Sequence, residues 1–119
     1  MAVEQLVVLD ESVLVKLAAD LGDAAYPPHF AGIYLDMLPG RVRRVEEAVL
    51  ADDPVAAMDA ALSLRVSSTS VGLVELAGVA AVVEDAVRRE DRSAQLSGIA
   101  PLASTARRGA EVLRAMLAR

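Results

Sequence analysis

The sequence predicts an all-α fold, a four-helix up-down bundle with an additional N-terminal helix, in a single domain spanning 1–119. Three observations predict it. Apolar residues recur at steps of three and four, not at the steps of two that a half-buried strand requires. Helix punctuation falls between these periodic stretches and leaves only short connections, which make consecutive helices antiparallel neighbours. The 119 residues, 55% hydrophobic against 24% charged, supply enough apolar surface for one core, in a chain too short for two.

Each helix has its own signals. Asp10 can cap a first helix whose apolar face carries Val13, Leu14, Leu17 and Leu21, with Gly22-Asp23 ending it. Tyr26-Pro27-Pro28 then reads as a connection, because a residue before proline is pushed toward extended geometry. A second helix is expected from about Pro28 to Leu50, its apolar side carried by Phe30, Ile33, Tyr34, Met37, Leu38, Val42, Val45, Val49 and Leu50. Pro39-Gly40 should kink or split it, since proline removes one backbone donor and crowds the preceding turn. Asp53-Pro54 starts the third helix with a cap and a first-turn proline, and Gly72 lies near its end.

The fourth helix, Leu73 to Arg89, places Leu76, Val79, Ala80, Val83 and Val87 on one side and Glu75, Glu84, Asp85 and Arg88 on another. The fifth, from about Ser93 to Leu117, repeats Ile99, Leu102, Ala106, Gly109, Leu113 and Met116 as a bundle seam. Pro101 can set its first turns apart as a separate short piece, and Gly109 reads as a close-packing position.

Composition excludes several kinds of function. There is no cysteine, hence no disulfide, thiolate nucleophile or cysteine metal site, and one histidine makes no metal cluster; no cofactor is expected. A net charge of -5 and a sequence pI near 4.8 oppose binding to a phosphate backbone, and one Phe and two Tyr leave little for base stacking, so no nucleic-acid partner is expected. The longest apolar run, Ala77 to Val83, is too short to cross a bilayer. Glu4, Asp10 and Glu11 flank the apolar Leu6 to Leu9 with no basic residue before it, unlike a secretory signal. A soluble, cytoplasmic protein without a membrane partner is the expectation.

The third helix is the informative one. At about 100° per residue, Ala57, Ala60, Ala61, Ser68 and Val71 share the side of Leu64, while Val55, Met58, Leu62, Val66 and Thr69 fall opposite. It therefore carries two apolar stripes facing apart. Either both are covered inside the bundle, or one is exposed as a partner surface.

The stretch Ala60 to Gly72, AALSLRVSSTSVG, resembles the signature of histidine phosphotransfer (HPt) domains, which runs Ala-His-x-Leu-Lys-Gly-Ser-(Ser/Ala) with an apolar residue and a Gly further on. Val8 to Leu14, the mid-helix Pro39 in YLDMLP and the ADDPVAA leading into the third helix extend the resemblance over nearly the whole chain. Three departures stand out: Leu62 replaces the phosphate-accepting His, Arg65 replaces Lys and Val66 replaces Gly.

The resemblance implies that the Leu64 stripe faces the core and that the Leu62 stripe surrounds the place where an HPt domain meets a response-regulator receiver. Phosphate transfer by the family mechanism is not expected, because leucine has no lone pair for the phosphoryl group and Ser63 points about 100° away. No catalytic residue is assigned. The implied partner is a receiver domain or a histidine kinase, met by Val55, Met58, Asp59, Leu62, Arg65, Val66 and Thr69; Arg65 would keep an attraction to an acidic receiver pocket. A homodimer through the Leu62 stripe, in an adaptor module that keeps the fold without a phosphorelay role, is the alternative.

The remaining candidates read as structural. His29 follows two prolines, away from the signature, as an exposed or capping histidine. Ser67-Ser68-Thr69-Ser70 suits close helix approach and bonding to its own backbone. Arg41, Arg43 and Arg44 are followed by Glu46 and Glu47 as a self-paired solvated face, and Arg107, Arg108, Arg114 and Arg119 suit the last helix's C-terminal end.

Overall fold

The computed structural model describes residues 7–119, and all their regular structure is helical: α1 (Ser12–Leu21), α2 (Tyr26–Leu50), α3 (Pro54–Ser70), α4 (Val74–Arg88), α5 (Arg92–Ile99) and α6 (Leu102–Leu117). Residues 1–6, with Glu4 and Leu6 of the opening apolar run, lie outside the described residues. Helix α3 packs against α2 and α4, α4 against α5 and α6, and these return to α2, so α5 and α6 together make the fourth member of the bundle. The additional N-terminal helix α1 lies on α2.

The caps at Asp53 and Gly22 form as the sequence implies, whereas the N-cap position of α1 is Glu11, which makes no side-chain cap bond. Asp53 is extended and its carboxylate accepts from the Ala56 amide at 3.1 Å, with Pro54 in the first turn of α3. Asp10 accepts from the amide and hydroxyl of Ser12 at 3.1 and 2.6 Å, and Gly22 ends α1 in the left-handed region. Asp91 caps α5 through the Ala94 amide, so that helix begins one residue before the expected Ser93. Pro101 does divide the last bundle member in two.

One expectation for α2 is corrected, and of the two outcomes expected at Pro39 the split is excluded. Tyr26-Pro27-Pro28 is not a connection: both prolines sit in the first turn, where no intrahelical partner is needed for their missing donors. Pro39 does not split the helix, which runs through it for 25 residues. Packing of Tyr34, Leu38, Val42 and Val45 on both sides of the proline holds the helix together despite the lost hydrogen bond.

The core is aliphatic, with Leu64, Leu73, Leu76, Leu102, Leu113, Val45, Val49, Val71 and Val83 fully buried. Burying each such side chain stabilises by about 1.5–3 kcal/mol. Two glycines lie at close approaches that position the core. Gly72, at φ 84°, lies so close to the Asp10 carbonyl that a Cβ would overlap its oxygen, and the Asp10 amide donates to the Gly72 carbonyl at 2.7 Å. Gly109 admits Leu73, whose Cδ1 would lie 3.3 Å from an added Cβ, which makes it the close-packing position expected. Among the described residues every buried side-chain nitrogen and oxygen has a hydrogen-bond partner.

The N-terminal segment is tied twice, through Gly72 and through Glu11, which accepts from Arg119 at 2.7 and 3.0 Å. The Arg119 guanidinium holds the Glu11 carboxyl below its ordinary value. Among the described residues no helix is long and apolar enough to cross a membrane.

Candidate functional site

Helix α3 presents its two stripes to different environments. Ala57, Ala60, Ala61, Leu64, Ser68 and Val71 are buried, so the Leu64 stripe is the core seam. Ser68 is polar and fully buried, and it shares a 2.9 Å hydrogen bond with the Tyr34 hydroxyl of α2. Burial pushes that hydroxyl up from 10.0 to about 12, against the opposing pull of the Ser68 bond and of Arg41. The bond fixes the level of α3 on α2.

The opposite stripe faces solvent. Leu62 is 41% exposed, Val66 51% and Val55 81%, and Thr69 is also exposed. The reading in which both stripes are covered is therefore overturned for these residues. Met58 departs from the pattern: it is half-buried and packs on the core. Asp59 is exposed, with Arg44 of α2 at 3.8 Å. This replaces the self-paired face expected for Arg44.

Arg65 is not a free cation. Its Nε donates to Oε1 of Glu84 on α4 at 2.6 Å, and Arg88 approaches the other carboxylate oxygen at 3.9 Å. Glu84, expected on the polar side of the fourth helix, is 6% exposed and lies between α3 and α4. A buried carboxylate needs such a partner, so the charge of Arg65 is committed inside the protein. The pairing spans 19 positions, which helical periodicity does not connect.

Helix α2 contributes residues that sequence reasoning assigned to the core. Ile33 and Met37 are 48% and 47% exposed, and the same correction applies to Leu50 and, on α1, to Leu21. Ile33, Met37 and Arg41 face Ser63, Val66 and Ser67 across a shallow groove of about 310 Å³ between α2 and α3. Leu62 lies one turn before Val66 on α3, so the exposed apolar strip joins both helices. The number of apolar residues on α2 gave no signal, because nine positions on a helix of this length do not exceed the three or four per two turns that one buried face takes.

Ser67, Thr69 and Ser70 donate to the carbonyls of Ser63, Arg65 and Val66 at 2.8, 2.8 and 2.9 Å, the backbone bonding expected of them, while Ser68 uses Tyr34. His29 is exposed in the first turn of α2 and lines no part of the groove. Arg108 pairs with Glu75 on α4 at 3.0 Å and Arg119 with Glu11, so these two arginines bind across the fold. Among the described residues no group of three or more metal-liganding side chains forms.

No family model and no curated protein matches the chain. A solved structure does: the crystal structure of histidine-containing phosphotransfer protein B from Pseudomonas aeruginosa PAO1 matches with a TM-score of 0.83, over 97% of this chain and 98% of that one, at 23% sequence identity. At that identity the likeness establishes the fold. The chain has the helical-bundle fold of an HPt protein, as the signature-like stretch and helix order implied.

Proposed function

We propose that this chain is a phosphorelay-related protein that docks a response-regulator receiver domain, or the histidine kinase of the same relay, through the α2–α3 face around Leu62, without itself carrying phosphate. The observation that supports the reading is the exposed Leu62 on an HPt-type bundle, in the place that the signature gives to histidine. Relay from an aspartyl phosphate requires a nitrogen lone pair to form the P–N bond and a leaving group that later returns phosphate to a carboxylate. Leucine supplies neither. A serine ester would hold its phosphate too firmly to pass it on, and the nearby hydroxyls of Ser67 and Ser70 are engaged on backbone carbonyls.

What remains is a binding surface. Ile33, Met37, Leu62 and Val66 form an apolar strip across α2 and α3, the kind of patch that soluble domains keep for partners. The test is calorimetric binding to receiver domains encoded beside this chain, together with incubation with the phosphorylated receiver. Binding without acid-labile label on this chain is expected; label on the chain would overturn the reading.

The same apolar strip also favours a second reading, an isologous dimer in an adaptor module. Light scattering separates the two. A dimer that Leu62→Glu converts to a monomer supports the adaptor; a protein already monomeric that loses only receiver binding supports docking.

A further inference from the structure

A second groove, between α2 and α6, has a composition that the docking face does not. Its volume is about 410 Å³, within the range of small-molecule sites. Leu38, Val42, Ala106 and Ala110 form its floor, all of them buried. The groove exists because α6 offers Ala103, Ala106 and Ala110 toward α2, where larger side chains would fill the space. Its lining runs from Leu35 to Glu46 on α2 and from Ala103 to Arg114 on α6, about 16 Å at 1.5 Å per residue.

The rim carries cations without partners. Eight of the twelve Lys and Arg side chains form ion pairs, and the four that form none among the described residues are Arg41, Arg43, Arg107 and Arg114. Three of these four, Arg43, Arg107 and Arg114, line this one groove. Acids are not scarce in a chain with 17 Asp and Glu, and Glu46 and Glu111 stand on the same rim at helical spacing, yet neither pairs with these arginines. Unpaired guanidinium groups beside an apolar floor suit a ligand with an anionic head and an aliphatic body.

We propose that the α2–α6 groove binds a single-chain aliphatic carboxylate as a free monomer, its tail along the alanine floor and its carboxylate met by the rim arginines. A bilayer surface fits less well: the floor is recessed, and the protein's net charge of -5 is repelled by anionic lipid. A partner helix would have to bring acidic side chains to the same arginines, and the test includes such a peptide.

Isothermal titration with dodecanoate below its micelle concentration tests this on the full chain. One-to-one binding is expected, with decanoate weaker, and with dodecyltrimethylammonium and acetate giving no saturable heat. Arg43→Gln with Arg107→Gln should weaken dodecanoate at least about tenfold through the lost charged hydrogen bonds. Ala103→Leu, at a half-exposed site, should weaken it by filling the trough while thermal unfolding stays in place. The proposal is overturned by absent or many-to-one binding, by equal binding of the cationic amphiphile, or by indifference to both variants. It is equally overturned if anionic vesicles or a glutamate-rich helical peptide bind where dodecanoate does not.

Discussion

Arg65 Nε and Glu84 Oε1 meet at 2.6 Å between α3 and α4, so the cation three residues after Leu62 on α3 is also the counter-ion of a buried carboxylate. The pair is asymmetric: the Glu84 side chain is 8% exposed and that of Arg65 38%. Removing the arginine strands a charge in the interior, whereas removing both ends leaves nothing to compensate. Arg65→Met should cost about 2–3 kcal/mol, discounted for the arginine's partial exposure, and adding Glu84→Gln should recover much of it. Urea unfolding of the two single variants and the double variant reads the coupling, and additive losses would refute it.

Leu62→Glu should cost no more than about 1 kcal/mol of stability, because a large part of the side chain is already in water. Receiver binding should fall at least about tenfold as the apolar strip gains an unpaired charge. A large loss of thermal stability would instead mean that Leu62 is covered in solution.

Restoring the imidazole with Leu62→His should not restore phosphate acceptance. Arg65, at the signature's lysine position, is occupied by Glu84, and Val66 adds bulk one turn away where close access is needed. Radiolabel from a phosphorylated receiver is the measurement; efficient labelling of the variant would show that the remainder of the site is competent.

Tyr34 sets an alkaline limit. Its folded pKa is raised from 10.0 to about 12 by burial, so the unfolded chain releases this proton first. The corresponding stability is whole below pH 10 and is lost as pH rises toward 12, at about 1.4 kcal/mol per unit. Tyr34→Phe should remove that slope and cost about 1 kcal/mol at neutral pH, since Ser68 loses its partner. Urea midpoints across this range decide it.

Gly72→Ala should destabilise by about 2 kcal/mol or more, because positive φ and the overlap with the Asp10 carbonyl act together. Thermal unfolding checks it, and a neutral result would mean that the 7–11 segment is not seated on the α3–α4 turn.

The legible parts of this fold are those governed by near neighbours in sequence. Asp53-Pro54, Gly22, Gly72 and Pro101 mark boundaries through local backbone chemistry, and the Leu64 stripe through helical period. The illegible parts depend on what another helix brings. A helical wheel puts Glu84 with the polar residues, and only Arg65 arriving from α3 makes its burial tolerable. Likewise Ile33 and Met37 share the apolar character of Tyr34 and Leu38, and only the placement of α3 decides which pair remains outside. Half of the candidate site, the α2 half, was hidden for that reason.

The hydroxyls of Ser67, Thr69 and Ser70 are turned back onto the carbonyls of their own helix. Few polar groups are therefore left on the outer stripe to exchange water for a partner's hydrogen bonds. Complex formation there releases solvent from hydrocarbon, and its thermodynamic mark is a negative heat-capacity change with an enthalpy that grows steadily more favourable on warming.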